Sequence, residues 1–419
     1  MARVKVLGSG REVGRAAILV EGSGGSLLLD YGVNFDEQDN PVFPEHVRPR
    51  DLSGVVLTHS HLDHVGAAPM LYTSVKPPLY ATPLTLSVSR LLLYDMIKLN
   101  GPSLAFDEPV VDEMLSSATS LGYGDYVEAG SFRFKLLPSG HIPGSASVLV
   151  DLSDKTLLYT SDVNVIDTKL MKPAELEGVE ANIVVIESTY GNTNHPPREE
   201  TEARFVNAVR EVIESGGVVL VPVFSVSRGQ EIMCVLAYNN VEAPVWVDGM
   251  VKDVAELYLK YPEYIRLNGI LAKAMSEFNI VRGWHERKLA YGEPGVIVSS
   301  SGMLKGGPSL YYLKKIAENP KNAVFLVSFQ GKGTPGRQIL ETGTALPEEI
   351  PVRARVEWFD FSSHIDQKGI IKIVKNLKNV EKIILVHGTP KAQEALTVKI
   401  KEELDIKPLT PATGDTIEI

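Results

Sequence analysis

The sequence predicts an α/β protein in which a mixed-sheet fold is interrupted by a second, parallel-sheet domain. Three observations carry this. The first thirty residues are apolar runs parted by Gly-rich turns, strands and helices alternate with short links from about Ser188, and the last sixty residues return to the opening style. At 419 residues the chain has room for two or more domains, or for one large domain with an insertion.

In order, "ARVKVLGSGREVGRAAILVEGSGGSLLLDYG" reads as three strands of an antiparallel meander. Strands recur at "GVVLTH", "LYAT", "SVLVDL" and "TLLYTSD", and helical periodicity runs from Pro83 to Leu99 and from Asp112 to Ser120. "REETEARFVNAVREVIESGG" is an amphipathic helix that leads into the buried strand "VVLVPV". Helix "SRGQEIMCVLAYNN", strands "APVWVDG" and "PGVIVSSSG", helix "PSLYYLKKIAEN" and strand "NAVFLVSFQ" follow, the signature of a doubly wound parallel sheet. The strand "VEWFDFSSH", the helix "DQKGIIKIVKNLKN" and the strand "EKIILVHGT" then resume the first fold. The expected boundaries are 1–190 and 356–419 for the interrupted domain and 191–355 for the insertion.

Hydrophobic residues at 44% and charged residues at 22% are ordinary for a globular protein. No apolar stretch is long enough for a bilayer, and the start "MARVKVLGSG" lacks the apolar core of a signal peptide, so a cytoplasmic location is expected. A net charge of −10 excludes a generally basic nucleic-acid binder but not a local basic or metal-lined cleft. The single cysteine, Cys234 in "EIMCVLAY", excludes intramolecular disulfides and a thiolate cage and reads as the buried face of a helix. "GSGREVGR" resembles a dinucleotide loop only superficially, because no helix follows.

"LTHSHLDHVGAAPM" places three histidines and an aspartate within six positions. His59 and His61, two apart on a loop leaving a strand, can turn both rings to one side. Asp63 and His64, at the start of the next helix, point elsewhere and can hold a second ion about 3.5 to 4 Å away. His141 in "PSGHIPGSAS", Asp162 in "LLYTSDVN" and His387 in "ILVHGT" lie at later strand ends, where loops converge. Alone, each is equally a buried histidine or a turn aspartate. Together with the cluster they complete a dinuclear site.

With Asp30 upstream, these residues resemble the metallo-β-lactamase superfamily along the whole chain. The resemblance implies an αββα sandwich in which His59, His61 and His141 bind one zinc ion and Asp63, His64 and His387 a second. Asp162 bridges the two, and Asp30 steadies the ligand loop. "VVIESTYGN" (Glu187), "FDFSSHID" (His364) and "LVHGT" (His387) resemble the three motifs of the β-CASP nucleases, whose parallel-sheet domain interrupts the sandwich. A histidine at the third motif is the pattern of the RNA-cleaving members. "ESTYG", "SRGQE", "SSSGML", "SFQGKGTPGR" and "DFSSHID" are similar to the endonuclease subunit of the cleavage and polyadenylation specificity factor and its archaeal relatives, with ribonuclease J next. The chain begins at the catalytic fold and so resembles the archaeal form without KH domains.

The function implied is a zinc-dependent ribonuclease, endonuclease or 5′-to-3′ exonuclease or both, in RNA 3′-end processing or decay. It would take single-stranded RNA and leave 5′-phosphate and 3′-hydroxyl ends. Two zinc ions lower the pKa of bound water from 15.7 to about 7 and neutralise charge on the phosphate. His364, outside the ligand set, is the candidate general acid, with Glu187 holding its ring and raising its pKa; the structural alternative is a neighbour of the helix N-cap in "SSHID". Ser225, Ser227 and Arg228 open a helix after "VVLVPVF", where anions bind, and Ser299, Ser301 and Gly302 occupy an equivalent strand end. Lys332 and Arg337 add charge. Ser/Gly turns also occur for steric reasons alone.

His195 either lines the cleft or caps its loop, His46 and His285 read as surface residues, and "LYLKYPEY" reads as helix packing. A homodimer through the C-terminal region, with the apolar end "DTIEI", and an RNA-processing complex are the partners implied. The competing functions are a small-ester or lactam hydrolase and a non-catalytic or partner-dependent subunit of an RNA-processing complex. The inserted domain opposes the first, and the filled ligand positions oppose the second.

Overall fold

The computed structural model describes residues 2–345 and 350–419. The chain folds into two compact units. The first takes the chain up to Ile166, Pro173–Asn194 and Ser363–Ile419, and the second Asp167–Lys172 and His195–Ser362.

In the first unit the opening meander forms as expected, with Arg3–Gly8, Ala17–Gly22 and Gly25–Leu29 paired antiparallel. Leu52–Val56, Leu79–Ala81 and Ala118–Ser120 continue the sheet in parallel, and Thr416–Glu418 closes its other edge to make seven strands. A six-stranded sheet holds, in spatial order, Lys382–Val386, Ile183–Glu187, Lys155–Tyr159, Ala146–Leu152, Phe132–Pro138 and Tyr126–Ala129. Alternation decides the layers. Val4, Val6, Ile18, Val20, Leu27 and Leu29 pack with Phe134, Leu136, Val148 and Val150 in the core between the sheets.

The intervening Ala17, Leu19 and Leu28 turn outward and are covered by Leu93 and Met96 of helix Pro83–Asn100 and by Val111 and Met114 of helix Glu108–Ser116. Leu158, Val184, Ile186, Ile383 and Leu385 turn to the helices Gln367–Asn376 and Pro390–Leu404. The unit is thus an αββα sandwich. Burial of both sheet faces is why "SLLLD" reads as an unbroken apolar run. Truncating a fully buried core ring such as Phe134 to alanine costs roughly 3–5 kcal/mol.

One reading changes here. The helix expected over Asp112 to Ser120 is Glu108–Ser116, capped by the Asp107 carboxylate, which accepts from Val110 N at 3.3 Å. Ala118–Ser120 is instead a strand against Leu79–Ala81, because ladder bonds to a neighbouring strand outweigh local helical spacing. The end "DTIEI" forms in part a strand of the opening sheet, Thr416–Glu418 pairing with Arg3–Lys5.

The second unit is built on six parallel strands, in order Asn279–Ile280, Val245–Asp248, Gly295–Ser299, Val218–Pro222, Ala323–Leu326 and Arg355–Trp358. The "VEWF" strand, expected to resume the first fold, belongs to this sheet, with Val356 opposite Val324 and Phe359 N donating to Leu326 O at 2.9 Å. Asp167–Lys172 also belongs to this unit. The Glu231 carboxylate accepts from Lys169 N at 3.1 Å and Leu170 N at 2.7 Å, and Arg266 N donates to Leu170 O. Sheet partnership and side-chain clasps are non-local, so periodicity does not reveal either. Cys234 is buried in helix Arg228–Tyr238, and burial holds its thiol well above the ordinary range. No helix among the described residues is long and apolar enough to cross a membrane.

Candidate metal centre

The ligand-type residues gather at the carboxyl ends of strands from both sheets of the first unit. Asp30 follows Gly25–Leu29, the loop from Thr58 to His61 follows Leu52–Val56, and Asp162 follows Lys155–Tyr159. Glu187 ends its strand, His387 follows Lys382–Val386, and His141 follows Phe132–Pro138. A four-residue helix, Leu62–Val65, carries Asp63 and His64. That helix is fixed by backbone bonds from Tyr31 N to His64 O (2.8 Å) and from Ala16 N to Asp63 O (2.7 Å). A Cβ on Gly32 would fall 1.7 Å from Asp63 O, so this close approach admits only glycine.

Three groups of donor atoms result among the described residues: His59, His61, His141 and Asp162; Asp63, His64 and His387; and Asp162, Glu187 and His387. His59 Nε2 and His141 Nε2 lie 3.2 and 3.3 Å from His61 Nδ1, and both histidines lie 3.5 to 3.6 Å from Asp162 Oδ2. In the second group, His387 Nε2 is 3.3 Å from Asp63 Oδ2, and His64 Nε2 is 3.4 Å from the same Asp162 Oδ2. Asp162 thus belongs to the first group and touches the second, its Oδ1 standing 3.6 Å from His387 Nδ1. Bonds of about 2.0–2.1 Å to a tetrahedral metal imply donor separations of roughly 3.3 Å, which the first group matches. His64 Nε2 and Asp162 Oδ1 are buried with no hydrogen-bond partner among the described residues.

The far side of each ring is held, which sets the face turned inward. Thr58 Oγ1 meets His59 Nδ1 at 3.1 Å, His141 Nδ1 donates to Ser363 O at 3.0 Å, and Thr189 Oγ1 meets His387 Nδ1 at 3.1 Å. Asp30 is wholly buried and gathers the most partners: Thr58 N and Thr58 Oγ1 at 2.8 Å, His64 Nδ1 at 2.8 Å and Tyr159 OH at 3.0 Å. Asp30, Ser161 and His387 all take φ between 50° and 60°, a left-handed backbone that costs about 1–3 kcal/mol per residue and persists where surrounding bonds enforce it.

Charge divides the rings. Burial drives His59 and His141 well below the usual histidine range and His61 to about 4, leaving three neutral imidazoles. Burial opposes charge on His64 and His387 too, yet the Asp162 carboxylate, with Asp30 at His64 and Asp63 at His387, raises both. Asp162 is itself held well below the carboxylate range, its burial outweighed by His387, His64 and His364. Buried carboxylates that draw positive charge among neutral imidazoles are a donor set suited to a divalent metal ion.

His364 stands beside the groups. Its Nδ1 lies 2.9 and 3.1 Å from the two Glu187 oxygens and 3.8 Å from Asp162 Oδ2, and its side chain is 22% exposed where those of Glu187 and Asp162 are sealed. Glu187 is anchored in turn by Val163 N at 2.9 Å. Thr58, Tyr159, Ser161, Thr189 and Ser363 are the partners that sequence reasoning missed. Thr58, Ser161 and Ser363 each adjoin a candidate ligand or His364 in the chain, which is the one signal that could have found them.

The anion-contact candidates lie in the second unit. Pro222 and Ser299 are register partners at the carboxyl ends of adjacent parallel strands, so the Ser225 to Arg228 turn and the Ser299 to Gly302 turn share an edge. Ser227 is the N-cap of helix Arg228–Tyr238, with φ 68° and no side-chain cap bond. Ser299 is buried and Ser301 Oγ donates to Gly306 O at 3.4 Å, so these hydroxyls are engaged locally. Gly302 packs on Phe224 N, which a Cβ would meet at 2.9 Å. Lys332 is exposed, and Arg337 pairs with Glu341 at 2.6 Å. His195 bonds Asp360 at 2.7 Å in this unit, His46 and His285 are exposed, and Tyr258 of "LYLKYPEY" is fully buried.

Residues 10–192 match the metallo-beta-lactamase superfamily, 229–339 the Beta-Casp domain, and 349–411 the Zn-dependent metallo-hydrolase RNA specificity domain. The chain belongs to the metallo-β-lactamase superfamily, in the branch that carries a β-CASP domain. It is 46% identical to RNase aCSPSF2 of Saccharolobus solfataricus, over 99% of this chain and 85% of that relative. It is 34% identical to transcription termination factor FttA of Pyrococcus horikoshii, over 100% of this chain and 71% of that protein. A crystal structure of a protein of unknown function from Enterococcus faecalis V583 shares the fold at 13% identity, with a TM-score of 0.64 and full coverage of both chains.

Proposed function

We propose that this chain is a zinc-dependent ribonuclease that hydrolyses phosphodiester bonds of single-stranded RNA and leaves 5′-phosphate and 3′-hydroxyl ends. The observation that carries the reading is the pairing of two donor groups through Asp162 with the His364–Glu187 pair beside them. The family assignment and relatives that carry RNase and transcription-termination names support it, with RNA 3′-end formation or decay in the cytoplasm as the setting.

His59, His61 and His141 would hold one zinc ion and Asp63, His64 and His387 the other, with Asp162 shared. The metal pair, when bound, supplies a water acidic enough to attack at neutral pH and positive charge against the phosphate. The protein residues do the rest. Asp30, Thr58, Thr189 and the Ser363 carbonyl hold the rings to one face. Glu187 takes the His364 Nδ1 proton in a hydrogen bond, which leaves Nε2–H to donate to the departing 3′-oxygen. Ser225, Ser227, Arg228, Ser299, Ser301, Gly302, Lys332 and Arg337 are proposed to meet backbone phosphates, chiefly through main-chain N–H groups.

The test uses zinc-loaded protein on labelled RNA in two forms, linear with a 5′-monophosphate and covalently circular, beside Asp63→Ala. Cleavage of the circle, absent in the variant, is expected of an endonuclease. Mononucleotide release from the linear form alone assigns a 5′-to-3′ exonuclease. If neither form is cut, the catalytic reading fails in favour of a partner-dependent subunit, and activity retained by Asp63→Ala would refute the paired-metal assignment.

A further inference from the structure

Between the helices Gln367–Asn376 and Pro390–Leu404 of the first unit lies an open groove of about 520 Å³. Lys368, Lys372 and Lys375 line it from the first helix, Lys399 and Glu403 from the second. The cause is legible in "DQKGIIKIVKNLKN". Ile370, Ile371, Ile373, Val374 and Leu377 bury against the sheet, which leaves the lysines on the free face. The lining carries four lysines against the single carboxylate of Glu403 in a chain of net charge −10, so the groove is positive on an acidic molecule.

Lys368 and Lys372 are exposed, with no ion-pair partner among the described residues, while Lys375 and Lys399 both rest on Glu403, at 2.6 and 3.2 Å. The groove is tied to the candidate centre through the chain, since Gln367, in its lining, lies three residues after His364. The first helix begins there, where Gln367 N and Nε2 donate to Thr193 O and Gly191 O at 3.0 and 2.7 Å. From there the lysines lead away along a helix of 10 residues, about 15 Å at about 1.5 Å per residue.

We propose that this groove is an exosite for the sugar-phosphate backbone of single-stranded RNA, holding the strand beyond the scissile bond. The proposal rests on the ribonuclease reading above. A single line of lysines suits one phosphate strand. A protein partner would call for an apolar or aromatic centre, and Ile371 is the one apolar residue in the lining.

The experiment measures KM and kcat of the zinc-loaded full chain on RNAs of about 6 and about 20 nucleotides, over roughly 50 to 300 mM KCl. Wild type is compared with Lys368→Ala/Lys372→Ala and with Glu403→Ala. For the longer RNA the double variant is expected to raise KM about tenfold at low salt with kcat within about twofold, and to reduce the log–log salt slope by roughly 1.4, about 0.7 per lost contact. Glu403→Ala removes the one carboxylate in the lining, frees Lys375 and leaves Lys399 with Glu402 alone, at 3.5 Å, and is expected to lower KM, an effect that a structural role would not give. Equal KM and slope in wild type and double variant would overturn the exosite while leaving the ribonuclease intact, and would point to an acidic protein segment instead. A wild type that cuts neither RNA overturns both readings.

Discussion

At the scale of single residues, the proposed general acid His364 is the sharpest test of the reading. Burial alone would lower its pKa, but the Glu187 and Asp162 carboxylates outweigh that and lift it to about 9. A raised pKa keeps the imidazolium through neutral pH, and the acid form is lost as pH rises through about 9. An alkaline limb in the pH–rate profile is therefore expected. Glu187→Gln removes the charge that raises the pKa, so the limb should move to lower pH; a limb that stays in place would refute the pairing. His364→Ala should slow cleavage by roughly 10²- to 10⁴-fold while bound zinc, measured by atomic emission, is unchanged. Loss of zinc in that variant would make His364 a ligand instead.

At the scale of elements, the centre depends on how the loop from Thr58 to His61 and the helix Leu62–Val65 are pinned to the turn from Asp30 to Val33. Asp30 receives Thr58, Tyr159 and His64 with no access to water. Asp30→Ala strands those partners and should destabilise the protein by about 3–5 kcal/mol, the range for removing one member of a buried charged network. Denaturant midpoints with and without zinc check this, and a midpoint equal to wild type would show that the network carries no stability. Gly32→Ala, by contrast, acts through sterics, because its Cβ would collide with Asp63 O. It should lose zinc affinity before it loses overall fold, as read by metal titration beside circular dichroism.

At the scale of the whole molecule, metal should stabilise the first unit and not the second. A ligand that binds only the folded state adds about 2.7 kcal/mol at one hundred times its Kd. EDTA should inactivate reversibly and, in hydrogen exchange, loosen the strand ends around Asp30, His59, Asp162 and His387 while the parallel sheet around Val218–Pro222 keeps its protection. Equal loss in both units would contradict a centre confined to the first. The metal-ligand candidates were legible because histidines and aspartates after apolar runs mark strand ends, and the sandwich was legible because its strands bury both faces. What the sequence by itself determined was which residues are candidates for the chemistry and where most strands and helices run, since residue type and periodicity are local. Only the tertiary structure decided that the strand at Arg355–Trp358 joins the parallel sheet, that Thr416–Glu418 closes the opening one, and that Thr58, Tyr159 and Ser363 hold the centre. Those outcomes depend on hydrogen bonds between residues far apart in the chain, which no local pattern encodes.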